Sequence, residues 1–145
     1  MRSQYQRTIV VLLFSYLCIL STSYANDWEV PIVMDGATPV TAEELSDLMH
    51  EMKNLVIIDS RMQDKEQQPA IVGSHPLPYT QTSPDALSSL VPDKNTPVVF
   101  YCDNLQCPHS MKAIRKAVSY GYVNVFWFRG GISEWEQKGF PVETN

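Results

Sequence analysis

The sequence predicts an α/β fold: one domain with a mostly parallel central sheet flanked by helices on both faces. Two observations carry this. Leu55–Ile58 and Pro97–Tyr101 are unbroken apolar runs, which is how a strand buried on both faces reads. Between and after such runs come stretches with apolar residues at helical spacing, so strands and helices alternate along the chain. A length of 145 residues suits a single domain.

The elements follow in order. Val30–Met34 reads as an opening strand or loop closed by the turn pair Asp35-Gly36. Thr41 with Glu44 three residues on is a capping box, so a helix starts at Ala42 with Leu45, Leu48, Met49 and Met52 on its inner face. The strand Leu55–Ile58 ends in Asp59. Met62–Pro69 is loop-like, and Ala70–Val72 reads as a short strand before the breakers Gly73, Pro76 and Pro78. Ser83 caps a short helix that has Pro84 at its first position and runs to Leu90. Pro97–Tyr101 is the next strand. A helix from His109 or Ser110 to Tyr120 carries Met111, Ile114, Ala117 and Val118 inward and stops at Gly121. Val123–Phe128 is a third main strand, Gly130-Gly131 a tight turn, and Ile132–Lys138 a last helix ended by Gly139.

Residues 1–25 stand apart as an expected signal peptide. Arg2 and Arg7 precede an apolar run, Ile9–Leu20, and Ser23 and Ala25 are small residues at −3 and −1 of a cut before Asn26. The run has 12 residues, short of the ~20 that span a bilayer, so no stable membrane insertion is expected after cleavage. Residues 26–39 then form an N-terminal extension and 40–143 the domain. Export places the chain in the periplasm or outside the cell. Cleavage also removes Cys18 and leaves Cys102 and Cys107 in an oxidising compartment, where such a pair can be a disulfide. The whole chain has 11 basic and 16 acidic residues, net −5, which argues against a nucleic-acid partner.

The chemistry concentrates after the strand ending at Tyr101. Cys102 stands where that strand stops, and Asp103 to Pro108 lead into a helix. In α/β sheets, ligands sit beyond such strand ends. A loop entering a helix offers backbone N–H groups and a helix N-terminus to a negative charge. A thiol there is expected to be acidified towards the thiolate, the reactive form. Lys112 adds positive potential and Asp103 opposes it. Cys107 has several readings: a resolving thiol, half of a static disulfide, or filler. His109 is either a proton relay or an exposed helix-start residue. Zinc on Cys102, Cys107 and His109 would lack a fourth protein ligand at an irregular spacing, so neither metal nor other cofactor is expected. No Arg lies within 103–109, which weighs against a phosphate-cradling loop.

Four segments resemble the rhodanese-like (sulfurtransferase) family in order and spacing. Ile57-Ile58-Asp59-Ser60-Arg61 looks like its strand ending in Asp-x-Arg. Ile71-Val72-Gly73-Ser74-His75 to Pro78 looks like its Ile-Pro-Gly-Ala stretch, with Val72 where proline is usual. Val98-Val99-Phe100-Tyr101-Cys102 looks like the strand that ends in the nucleophile. Gly121-Tyr122 to Val125, then Gly130-Gly131-Ile132 and Trp135, looks like its closing segment.

The resemblance implies that Cys102 attacks a sulfur donor and carries a persulfide, with a small sulfur donor, a thiol acceptor or a redox partner protein as partner. Asp59 and Arg61 lie in the matching segments, and with Ser110, His109 and Lys112, read at the loop itself, they are expected to support the loop or substrate. Arg61 bonds loop carbonyls or Asp59 in one reading and a substrate anion in the other. The family's basic residue five positions after the cysteine is Cys107 here, and the helix Ser is Ser110, eight after Cys102. The loop is closer to the subgroup with Cys-x4-Cys-Pro. The alternatives are a thiol–disulfide redox protein using the same pair and an inactive binding module on the same scaffold.

Overall fold

In the computed structural model, residues 30–62 and 68–144 are described. The expected signal peptide, residues 1–25, lies outside them. Five parallel strands form the main sheet: β1 (Thr38–Val40), β2 (Val56–Asp59), β4 (His75–Pro76), β5 (Val98–Tyr101) and β6 (Val125–Phe128), in the spatial order β1-β6-β5-β2-β4. A separate antiparallel pair joins β3 (Pro69–Ile71) to β7 (Val142–Thr144). The helices are α1 (Ala42–Glu51), α2 (Pro84–Leu90), α3 (His109–Ser119) and α4 (Gly131–Gln137).

The alternation of side chains across a strand builds two cores. Val98 and Phe100 of β5, Ile58 of β2, and Val125 and Trp127 of β6 meet Leu87 of α2 and Met111, Ala113, Ile114 and Ala117 of α3. Val99 and Tyr101, with Ile57 and Phe128, meet Ala42 and Leu45 of α1 and Ile132 and Trp135 of α4. All four residues of β5 are fully buried. This is why Pro97–Tyr101 reads as a continuous apolar run instead of alternating with polar residues.

The caps match the sequence closely. Thr41 accepts from the Glu44 amide, while the Glu44 carboxylate accepts from the Thr41 amide. Ser83 accepts from the Ala86 amide at the start of α2. Other elements differ. Of its two readings the opening segment takes the loop, with Met34 and Ala37 in an isolated antiparallel bridge around the expected Asp35-Gly36 turn. The strand comes later, at β1. Both sheet edges, β1 and β4, contain a proline, Pro39 and Pro76. Proline fits an edge because the missing N–H costs no ladder bond there. These strands are too short for their periodicity to show.

The packed unit begins before β1. Val30 and Met34 are buried in the α2–α3 core, and the Arg129 guanidinium donates to the Val30 carbonyl at 3.0 Å. No helix among the described residues is long and apolar enough to cross a membrane. Phe100 packs at the centre of the first core with no exposed surface. Phe100→Ala is expected to lower unfolding free energy by about 3–5 kcal/mol, read as a shifted urea midpoint at unchanged slope.

Candidate functional site

The carboxyl end of β5 is fixed by two neighbours. On one side, α4 approaches end-on: the Ile132 amide donates to the Cys102 carbonyl at 2.9 Å and the Ser133 amide to the Asp103 carbonyl at 3.0 Å. Gly131 makes this approach possible. Its φ is +65°, and an added Cβ would overlap the Cys102 carbonyl oxygen, so only glycine fits. On the other side is a buried polar network. Asp59 accepts from the Arg61 amide, from the Arg61 guanidinium at 2.6–3.0 Å and from the Tyr101 hydroxyl at 3.0 Å.

Tyr101 has one proton and gives it to the carboxylate, so its oxygen accepts from Ser74 Oγ at 3.1 Å and from the Ile71 amide at 3.3 Å. Burial, then the nearby Asp59 charge, push the phenol far above its ordinary range, so it remains a donor. Burial works against the Arg61 charge, but the Asp59 pair outweighs it and holds the guanidinium pKa above its ordinary value. Arg61 also donates to the Pro69 carbonyl at 2.8 Å. Asp59 and Arg61 are both buried, and their bonds brace Tyr101 and the start of β3, not the cysteine loop.

Cys102 and Cys107 are joined as a disulfide, with Cα atoms 6.3 Å apart. Cys102 is 1% exposed and Cys107 half-buried. Cys102 counts among the buried core residues but joins neither of the two packed clusters. The loop is held apart from that bond. Asn104 accepts from the Cys107 amide through its carbonyl, at 3.1 Å, and from the Gln106 amide through Oδ1, at 3.0 Å. Those two amides therefore serve the loop itself, which differs from the expected ring of inward-pointing N–H groups. The start of α3 remains available to an anion: its N-cap is Pro108, and no side chain caps it.

Asp103 lies close to both sulfurs, with Oδ2 3.8 Å from Cys102 Sγ and 3.7 Å from Cys107 Sγ. In the disulfide neither sulfur carries a proton. In the dithiol state a carboxylate at that range disfavours thiolate. His109 stacks on Tyr79, ring centroids 4.8 Å apart and planes at 16°, and the Lys112 ammonium lies 5.0 Å from the Tyr79 ring centre on a cation–π contact. Lys116 donates to the Tyr79 carbonyl at 2.8 Å. His109 is thus not free at the surface, and its Nδ1 is buried without a hydrogen-bond partner among the described residues. Burial holds its pKa below the ordinary value; Asp103 opposes this and Lys112 adds to it.

Ser110, expected beside the loop, instead accepts at 3.0 Å from the Trp127 indole N–H and is buried. It ties α3 to β6. Sequence reading missed Tyr79, Asn104 and Gly131 as site residues. The Gly130-Gly131 pair was visible in sequence, but which carbonyl it would admit was not. Tyr79 reaches His109 from a loop 30 residues upstream, with no local signal to mark it.

The rhodanese-like domain family matches residues 41–138. The chain belongs to the rhodanese-like family. Among solved structures, the BH2092 protein from Bacillus halodurans superposes with a TM-score of 0.66 at 21% identity, covering 74% of this chain and 77% of that one. A thiosulfate sulfurtransferase from Pseudomonas aeruginosa gives 0.63 at 25% identity, covering 74% of this chain but only 20% of its own. The Alr3790 protein from Anabaena sp. gives 0.63 at 22% identity, with 72% and 90% covered. No curated protein matches significantly.

Two measurements check this rhodanese-like site. Tyr101→Phe takes one of the donors from the Asp59 carboxylate, which keeps Arg61, and removes the acceptor of the Ile71 amide and Ser74. It is expected to cost about 1–3 kcal/mol in chemical denaturation. For His109, NMR titration of the oxidised protein is expected to give a midpoint below 6.5. The sign follows: the unfolded chain binds more protons in that window, so this group's contribution to stability is complete above pH 6.5 and is lost as pH falls through the folded midpoint.

Proposed function

We propose that this rhodanese-like domain carries sulfane sulfur on Cys102 and discharges it through Cys107, after export directed by the leader-like N-terminus. The observation that supports the reading most is the Cys102–Cys107 pair in bonding contact where β5 ends and α3 begins.

The steps balance as follows. The Cys102 thiolate attacks the outer sulfur of a persulfide donor, RSSH. The donor's S–S bond breaks, RS⁻ leaves, and Cys102 becomes a persulfide. The Cys107 thiolate then attacks Cys102 Sγ, the terminal sulfur leaves as hydrosulfide, and the disulfide forms. A partner dithiol returns the pair to thiols, becoming a disulfide itself. The helix N-terminus at α3 favours the anionic intermediates.

The donor class follows from charge. The Pseudomonas aeruginosa neighbour is named for thiosulfate. Here Asp103 faces both sulfurs and no Arg lies in the loop 103–109, so a dianion is disfavoured. Low-molecular-weight or protein-bound persulfides fit better.

A second reading, thiol–disulfide exchange without sulfur transfer, is supported by the disulfide itself. Chain entropy gives a loop this short only about 2 kcal/mol from the cross-link, and the Asn104 and α4 hydrogen bonds already hold the loop. A purely structural staple therefore has little to add.

Intact mass after treating reduced protein with a low-molecular-weight persulfide separates the readings. Cys107→Ser is expected to gain the mass of one sulfur atom, removable by cyanide, and Cys102→Ser none. Wild type is expected to release hydrosulfide and end as the disulfide. Equal gain in Cys102→Ser would contradict the assignment. Disulfide formation with no sulfur ever held, in wild type or Cys107→Ser, would favour the exchange reading. Asp103→Asn removes the adjacent charge, raises the thiolate fraction of reduced Cys102 and is expected to speed its alkylation at neutral pH about threefold, the gain in thiolate being partly offset by its lower nucleophilicity.

A further inference from the structure

Sequence spacing offers three metal donors in this loop, one short of a closed site. The fold supplies a fourth. Ligand atoms of Cys102, Asp103, Cys107 and His109 all lie within 4.8 Å of one another, and no other such group occurs among the described residues outside this cluster. A tetrahedral zinc ion with bonds of about 2.0–2.3 Å sets its ligand atoms roughly 3.2–3.8 Å apart. Asp103 Oδ2 already stands 3.8 and 3.7 Å from the two sulfurs. The two bonded sulfurs are too close for such a site, and breaking their bond lets them part.

We propose that the dithiol form of this loop is a binding site for a divalent zinc-class ion, held by Cys102, Cys107, Asp103 and His109, and that the disulfide form ejects it. The donor set is two thiolates, an imidazole nitrogen and a carboxylate oxygen, which suits a borderline-soft tetrahedral ion better than a hard one such as magnesium or calcium. The histidine is prepared for the role. Its ring is fixed by the Tyr79 stack, and its Nδ1 is buried without a partner. Tyr79 is in turn held by Lys116, so the ring platform is built from outside the loop. The ion also resolves an otherwise unfavourable feature of the reduced state: a carboxylate crowding two thiols is repulsive once either ionises and becomes attractive around a cation. Cys107, Asp103 and His109 are each partly exposed, which leaves a path from solvent.

The cycle balances. A dithiol reductant gives two electrons and two protons to the disulfide and becomes a disulfide. The ion then displaces the two thiol protons to solvent. Reoxidation by the disulfide form of the same couple removes two electrons, reforms the Cys102–Cys107 bond, takes up two protons in the reductant and frees the ion. The proposal uses the residues of the proposed sulfur chemistry but does not require sulfur transfer to occur.

The test uses the full chain with zinc chloride, and with cobalt(II) as a spectroscopic substitute. Phosphine-reduced wild type is expected to bind one equivalent of zinc in competition with a chromophoric chelator. Its cobalt complex is expected to show thiolate charge-transfer absorption and the intense visible bands of tetrahedral geometry. The oxidised protein is expected to bind none at the site. Asp103→Asn and His109→Asn should each weaken zinc affinity at least tenfold, with unchanged far-ultraviolet circular dichroism, while Lys138→Gln, remote on α4's far end, should not.

Absence of stoichiometric zinc binding by the reduced wild type would overturn the proposal. So would affinity unchanged in both Asp103→Asn and His109→Asn, which would mean a bare dithiol, or a weak octahedral cobalt spectrum. Should a variant lose its fold, the wild-type cobalt spectrum alone decides between four-coordinate binding and none. Zinc binding without persulfide formation would sink the sulfur-transfer reading and leave this one standing, and the reverse result would do the opposite.

Discussion

Everything at the site depends on how the chain leaves β5. The Cys102 and Asp103 carbonyls are taken by the first free amides of α4, Ile132 and Ser133, and this requires a residue without a Cβ at Gly131. With both carbonyls committed to α4, the side chains of Cys102 and Asp103 meet Cys107 across the loop. A helix N-terminus is normally a place for an anion. Here one such terminus, α4, is spent on positioning the loop, while the start of α3, which follows Cys107 by two residues, has no side-chain cap.

The electrostatics are mixed, and the mixture narrows the chemistry. The α3 terminus and Lys112 favour negative charge; Asp103, at less than 4 Å from both sulfurs, opposes it. No Arg lies within residues 103–109. A loop with these groups is poorly suited to drawing in a dianionic donor. It is better suited to exchanging sulfur or electrons with thiols, or to gathering a cation when reduced. The Asp59–Arg61–Tyr101–Ser74 network takes no direct part in this. By fixing Tyr101 in place, it sets the position of the next residue, Cys102, and its rigidity comes from every polar atom of the Tyr101 hydroxyl being used.

The sheet and its main helices were legible in sequence because two-sided burial writes itself as unbroken apolar runs, as in Val98–Tyr101, and because Thr41 and Ser83 announce helix starts. The short strands were not. β1, β4 and β7 span two or three residues each, and two of them contain proline, so neither periodicity nor propensity marks them. At the site, sequence position singled out Cys102 and Cys107, and it offered a bond from Arg61 to Asp59 as one of two readings of that pair, the one the structure holds. It misplaced Ser110, because a hydroxyl at a helix start reads as a loop contact when its real partner, Trp127, comes from a strand 17 residues on. It could not foresee the Tyr79–His109 stack or Asn104's grip on two amides, since both depend on where separate segments meet.

The central claim is that the Cys102–Cys107 bond is one the protein makes and breaks in use. Equilibrium titration of the full chain against a dithiol couple, read by alkylating the free thiols, tests it most directly. Reversible conversion at a potential above about −300 mV, the region of exchanging pairs, is the outcome the account requires. A bond that stays closed until well below that boundary, or opens only when the fold is lost, would make the disulfide a permanent brace and contradict the account.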